Sequence, residues 1–212
     1  MYTQNNEEFF ILEYFKNDNP EDLTVLDIGA NDGELISNSR KVILEGWNGI
    51  LLEPSAKAFF RLSKLYSDNP KVRTLNYGIS ENSGRVKFFE SGSMGFNEKD
   101  TALYSSVKED EIKRWEGIVQ YEESEADFFT FNEFIKSENL LEKKIDFITI
   151  DAEGMDICIL KQINLEELSC RLLCIEWNSI DQVANEIIEY CNGFELHEIT
   201  RNPENIILGR NK

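Results

Sequence analysis

Val25-Leu-Asp-Ile-Gly-Ala-Asn-Asp-Gly33 is the stretch from which the fold is read. Its apolar run begins two residues earlier, at Leu23, and stops at a turn bracketed by Gly29 and Gly33. Residues 34–45 follow with Leu35, Ile36, Val42, Ile43 and Leu44 at roughly helical spacing, so the segment reads as strand, glycine turn, helix. Working outward, residues 49–53 are the next short apolar run, Pro54-Ser55 opens a helix to about Tyr66, and residues 71–77 form another strand. A hairpin strand over residues 85–90 is expected after the turn Glu81-Asn-Ser-Gly84. On the other side, Asn5 or Asn6 caps a helix running to Phe15.

Beyond residue 90 the rhythm breaks. Residues 91–127 are first rich in Ser, Gly and Asn and then heavily charged, a departure long enough to read as a lid or substrate loop. Thr130-Phe-Asn-Glu133 has capping-box spacing and starts a short helix. Asp146-Phe-Ile-Thr-Ile-Asp151 and Leu172-Leu-Cys-Ile-Glu-Trp177 are continuous apolar runs bounded by acids, as expected of central strands covered on both faces, and each precedes a helical pattern. Residues 194–199 and 205–208, separated by a segment containing Asn202-Pro203, predict a closing antiparallel hairpin. The expectation is a single α/β domain over residues 1–212, doubly wound around a mostly parallel sheet, with an N-terminal helix within residues 1–18 and an insertion at 91–127. Ligands in such sheets bind beyond the carboxyl ends of the strands, which points to residues 27–33, 53–55, 77–80, 151–154 and 176–178.

Forty Asp and Glu against 22 Lys and Arg give the 212 residues a formal charge of −18. A field of that sign repels phosphate backbones and anionic lipid headgroups, and the sequence holds no basic patch to reverse it, so neither nucleic acid nor a membrane surface is an expected partner. No run approaches the ~20 apolar residues of a membrane helix. The opening MYTQNNEEFF carries acids where a signal peptide carries bases, and a cytoplasmic location is expected. Cys158, Cys170, Cys174 and Cys191 lack CxxC spacing and read as buried reduced thiols; with the single imidazole, His197, far from them, zinc is not expected.

The chemistry gathers at the strand ends. Gly29 and Gly33 let a ligand approach the backbone and leave N–H groups pointing at it. Their spacing is GxxxG, and Asn31 stands where the second glycine of a dinucleotide fingerprint would, which counts against NAD. Asp27 puts a carboxylate near the turn, suited to an ammonium group or to ordered backbone N–H donors. Glu53, at the end of the next strand, is placed to accept hydrogen bonds from both ribose hydroxyls of a nucleoside.

Val25-Leu-Asp-Ile-Gly-Ala-Asn-Asp-Gly33, Leu51-Leu-Glu-Pro-Ser55, Asn76-Tyr-Gly-Ile-Ser80 and Asp146-Phe-Ile-Thr-Ile-Asp-Ala-Glu-Gly154 resemble, in order, the motifs of FkbM-type methyltransferases, from about residue 23 to residue 178. That resemblance implies a seven-stranded class I fold, dependence on S-adenosylmethionine, and methyl transfer to an oxygen of a sugar or small natural product. It implies that Asp27, Gly29, Ala30, Asn31 and Gly33 line the methionine part of the cofactor, that Glu53 with Pro54 holds the ribose, and that Gly78 and Ile79 lie near the adenine. Residues 91–126 have only the loosest likeness to the family, with Ser105-Ser106 placed in its Ser-containing loop, so the acceptor is the least legible feature.

Asp151 and Glu153 are the catalytic candidates. Methyl transfer needs the acceptor oxygen aligned and its proton accepted, which a carboxylate at the sheet's switch point does. Asp151 equally suits the cofactor ammonium, and Glu153 equally favours a helix N-terminus. Glu176, at the next strand end, is a substrate candidate with Ser105 and Ser106, or else a charge paired with a nearby base. Trp115 and Tyr121 either stack on the acceptor or anchor the lid. His197, the single imidazole, is a third candidate for the base, but period two puts it on the polar face of the tail hairpin with a neighbouring charge as its partner. Asp151, Glu153 and Glu176 are hard oxygen ligands of the kind that hold Mg or Ca, but three acids at one sheet edge are common without metal and none is assigned. Two rivals stay open: a nucleoside-binding module without turnover, and an NAD-dependent oxidoreductase.

Overall fold

In the computed structural model, which describes residues 1–94, 97–100, 102–141 and 143–211, the chain opens with α1 (Glu7–Tyr14), β1 (Thr24–Ile28), α2 (Arg40–Leu44), β2 (Asn48–Leu52), α3 (Ala56–Leu65) and β3 (Val72–Leu75). There follow β4 (Gly78–Ile79), β5 (Gly84–Met94), β6 (Asn97–Asp100), α4 (Glu109–Arg114), β7 (Val119–Phe129) and α5 (Phe131–Ser137). The chain ends with β8 (Phe147–Ile150), α6 (Asp156–Leu160), β9 (Leu172–Glu176), α7 (Asp181–Asn192), β10 (Leu196–Arg201) and β11 (Asn205–Arg210).

Seven of these strands form one sheet in the order β10-β11-β9-β8-β1-β2-β3. β1 pairs in parallel with both β2 and β8, whereas β11 inserts antiparallel between β9 and β10. The expected doubly wound sheet with an antiparallel closing hairpin is therefore present. Between β1 and β8 the winding reverses, and that switch point opens a crevice at the carboxyl ends.

Alternation along the central strands sorts their side chains between two apolar layers. Leu26, Ile28, Ile50, Leu52, Ile148, Ile150, Leu173 and Ile175 point to the layer that contains Phe134, Ile159 and Ile187 of α5, α6 and α7. Val25, Leu51, Phe147, Leu172 and Cys174 point to the opposite layer, with Ile11 of α1, Val42 of α2 and Leu62 of α3. Both faces being covered explains why these strands read as unbroken apolar runs. The exceptions in the second layer are Asp27 and Thr149, which are register partners on β1 and β8 and lie toward the crevice.

Two segments depart from the sequence reading. Residues 34–39 are turns, and only Arg40–Leu44 is helical. The Asp32 carboxylate accepts from the N–H groups of Glu34 and Leu35, and Ser37 Oγ accepts from Arg40 N, so side chains take donors that a helix would use. The expected hairpin strand is longer than read and finds a different partner. β5 pairs antiparallel with β7, its register partners 25 to 44 residues apart, in a second, four-stranded sheet ordered β4-β7-β5-β6. In β7 only Val119, Ala126 and Phe128 are buried, and acids at 122, 123, 125 and 127 hide the strand pattern. Much of the 91–127 insertion is therefore regular strand and short helix rather than loop.

All four cysteines are free thiols, and Cys170, Cys174 and Cys191 are buried. Among the described residues, no helix is long and apolar enough to cross a membrane.

Candidate active site

The turn leaving β1 is set by main-chain bonds. Gly29 N and Ala30 N both donate to Leu52 O, at 3.0 and 2.9 Å, which ties the end of β1 to the end of β2. Gly29 has φ +96°, and a β-carbon there would lie 1.8 Å from Asp151 O, so no other residue lets this turn pass against the end of β8. Gly33 closes the turn at φ +76°, with its N–H on Ala30 O at 2.9 Å.

Over this turn lies a cleft of about 890 Å³, its open mouth included. Asp27, Gly29, Ala30, Asn31, Glu53, Pro54, Gly78, Ile79, Ser105, Ser106, Asp151 and Glu153 all line it. Gly33 is outside the lining and packs against Leu62 and Tyr66 of α3. Glu176 is also outside it, at the end of β9. His197 is on β10, its ring bonded to Asn192 Oδ1 at 2.9 Å and exposed.

Glu53 anchors one wall. Its carboxylate accepts from Asn31 N at 2.8 Å and from Ser55 N at 2.7 Å. Burial nonetheless pushes it up to about 8, with Asp27 and Glu90 adding to the shift against those two hydrogen bonds. Ser55 also caps α3, its Oγ accepting from Ala58 N and donating to Glu90 Oε1 at 2.8 Å. Asn31 has φ +47°, is only 9% exposed, and neither atom of its side-chain amide has a partner. A buried amide without partners is costly unless something in the cleft satisfies it.

The floor is polar where the sheet would otherwise be apolar. Ser39 Oγ donates to Asp27 at 2.5 Å, and Asn38 Nδ2 donates to Thr149 Oγ1 at 3.3 Å. Burial holds Asp27 up at about 6, with Ser39 pulling the other way. Ile36, a β-branched residue at φ +56°, also lines the cleft, and such strain clusters at functional sites.

Past β8 the chain turns sharply, with Glu153 at φ +46° and Gly154 at +91°. Asp156 holds that turn by accepting from Ala152 N at 2.8 Å and Gly154 N at 3.1 Å. Asp151 is pushed up to about 7 by burial and then by Asp156, Asp27 and Glu7. Glu153 and Glu176 stand well above the carboxylate range for the same reasons, burial first and then the neighbouring acids. Ser106 Oγ donates to Glu153 O at 2.8 Å, tying the insertion to the turn, while Ser105 Oγ donates to Ala102 O at 2.8 Å. The second sheet adds Phe88 and Phe128 as an apolar wall beside Ile79.

Ser37, Asn38, Ser39, Thr149 and Asp156 were not singled out from sequence. Their signal was present: Ser37-Asn-Ser39 interrupts an apolar helical pattern, and Asp156 continues the acids of 151–153.

A seven-stranded sheet with an antiparallel penultimate position, a crevice at the β1/β8 switch point and a carboxylate ending β2 defines a class I methyltransferase domain. The family model described as the FkbM methyltransferase domain matches residues 27–198, and the chain belongs to that family. The structure is similar to the methyltransferase FkbM of Methylobacillus flagellatus KT, with a TM-score of 0.56 and 16% identity over 89% of this chain. The match covers 44% of that protein, so this chain spans less than half of its length. It is also similar to a putative RNA methyltransferase of Pyrococcus horikoshii, with a TM-score of 0.51 and 12% identity over 96% of this chain and 80% of that one. The human methyltransferase 10 domain containing protein gives a TM-score of 0.50 and 12% identity over 97% of this chain and 81% of its own. At these identities the likeness is one of fold. No curated protein matches the chain.

Proposed function

We propose that the protein transfers a methyl group from S-adenosylmethionine to a hydroxyl of a small polar acceptor, a sugar or glycan. The observation that carries this reading is one cleft lined by a side-chain-free turn at Gly29, the unpartnered amide of Asn31, and the carboxylates of Glu53 and Asp151. These residues fit the cofactor. Asp27, Gly29, Ala30 and Asn31 would hold its amino-acid end, Glu53 with Pro54 the ribose, and Gly78 and Ile79 the adenine, against the apolar wall. When bound, S-adenosylmethionine supplies an electrophilic methyl group on a sulfonium.

Asp151 orients the acceptor hydroxyl and takes its proton. A carboxyl held near 7 exists in both forms at neutral pH, which suits a general base. Glu153, also held above the ordinary carboxylate range by burial and then by the neighbouring acids, stands beside it on the turn as a second group to orient the acceptor. The acidic surface favours a cytoplasmic small-molecule or glycan acceptor over the RNA named for one structural neighbour.

The test is a methylation assay with labelled S-adenosylmethionine over a glycan panel, run beside calorimetric titration with S-adenosylhomocysteine and NAD. Transfer to a hydroxyl supports the reading. Cofactor binding without transfer to any acceptor leaves a nucleoside-binding module, and binding of NAD alone overturns both. Asp151→Asn should cut turnover more than cofactor affinity; equal losses make Asp151 a cofactor ligand.

A further inference from the structure

Four carboxylates from three elements gather beside the cleft: Asp151 and Glu153 line it, and Glu176 and Glu111 stand next to them, outside its lining. Ile150 and Ile175 are register partners, so the residues that follow them, Asp151 and Glu176, end adjacent strands side by side. Glu153 follows on the strained turn, and Glu111 of α4 packs onto that turn, its Cγ 2.9 Å from where a β-carbon on Gly154 would sit. The four neighbours that act most strongly on Glu176 are all acids: Asp151, Asp156, Glu153 and Glu111. The base facing this cluster, Arg114, stands toward solvent, 3.4 Å from Glu111 and 5.4 Å from the Trp115 ring centre.

Aromatic side chains face the acids. Tyr104 and Trp115 pack together with ring centres 4.4 Å apart and planes tilted by 43°, and Tyr121 of β7 lies close enough for Glu153 and Glu111 to act on it. Independently of charge, Glu176 Oε2, Tyr121 Oη and Trp115 Nε1 beside the cleft are buried atoms without a partner, as are the side-chain amide atoms of Asn31 within it. Buried polar groups left open in this way mark a place where a ligand completes the hydrogen bonding. Among the described residues, no three acidic, His or Cys side chains are grouped as they would be around a metal ion.

We propose that this side of the cleft is a cation subsite, and that the acceptor carries an ammonium group along with its hydroxyl, as amino sugars and amino alcohols do. The inference rests on the methyl-transfer reading above. The ammonium donates to Glu176 and Glu153 and lies against the Tyr104–Trp115 face, and the acceptor's oxygens take the Trp115 and Tyr121 donors. A positive charge relieves the repulsion among the acids, which a neutral sugar does not.

The test uses the full chain saturated with S-adenosylhomocysteine. Its binding is measured first, and failure there counts against the methyl-transfer reading and takes this inference with it. The indole N–H resonance of Trp115, assigned with Trp115→Phe, is then followed while adding glucosamine against glucose, and ethanolamine against ethylene glycol. Each amine should half-saturate the shift at a concentration at least about tenfold below its neutral twin, and the advantage should shrink at about 1 M salt, where charges are screened within ~3 Å. It should also shrink in Glu111→Gln and Glu176→Gln, both still binding S-adenosylhomocysteine. Equal responses to amine and neutral twin, no response to either amine, or an advantage untouched by both substitutions would overturn the inference.

Discussion

A β-carbon on Gly29 would fall 1.8 Å from the main-chain oxygen of Asp151. The glycine of the β1 turn and the acid that follows β8 thus share one packed contact between two walls of the cleft. Gly29→Ala must both enter a left-handed conformation and push the end of β8 away. A loss of roughly 2–5 kcal/mol of stability is expected from those two costs. Urea unfolding measures it, and a change below about 0.5 kcal/mol would show that the turn has another way through.

Glu53→Ala should weaken binding of S-adenosylhomocysteine, by roughly 1.5–3 kcal/mol for a charged hydrogen bond lost. Sequence alone suggests that the fold would be untouched. The structure shows two buried backbone donors, Asn31 N and Ser55 N, resting on that carboxylate, so melting temperature should fall as well. Calorimetry and thermal scanning together check this, and full affinity in the variant would remove the ribose assignment.

Thermal stability of the ligand-free protein should decline as pH rises from about 5 to about 9. Asp27 and Asp156 at about 6, Asp151 at about 7 and Glu53 at about 8 all stand above ordinary carboxylate values, burial being the first cause of each. The folded state therefore holds protons that the unfolded chain has released, and the stability they confer is complete below about pH 4 and lost through pH 6–8. Glu7 has the opposite sign, held below its ordinary value by its hydrogen bonds despite burial, so stability should also fall under about pH 4.5. A melting temperature flat between pH 5 and 9 would contradict the raised values.

Glu7→Ala should cost about 2–4 kcal/mol, because one buried and two part-buried donors lose their acceptor. This side chain of α1 is fully buried and accepts from Asn5 N and from the amides of Asn202 and Asn205 in the tail hairpin. Denaturant unfolding reads the loss, and an effect within 0.5 kcal/mol would mean that water replaces the carboxylate.

Asn205→Ala tests the same tie from its other end, and since Asn205 Oδ1 already has no partner, its cost should be smaller than that of Glu7→Ala. The order of the two variants in one unfolding series decides whether the acid or the amide organises the contact.

The sequence by itself determined the wound sheet and most of the cleft. Apolar runs buried on both faces, a glycine turn after the first, and acids at successive strand ends are local patterns, and a parallel sheet gathers strand ends at one edge whatever else the chain does. Asp27, Asn31, Glu53 and Asp151 were legible for that reason. Only the tertiary structure decided the rest. Pairing of β5 with β7 joins residues 25 to 44 apart and uses an acid-rich strand whose alternation is masked by charge. The helix expected at 34–45 gave way because Asp32 and Ser37 took its donors, while Ser39 turned to Asp27 across the sheet. Likewise the meeting of Glu111, Glu153 and Glu176 depends on where α4 folds back onto the β8 turn, a contact between elements distant in sequence that no spacing of residues encodes.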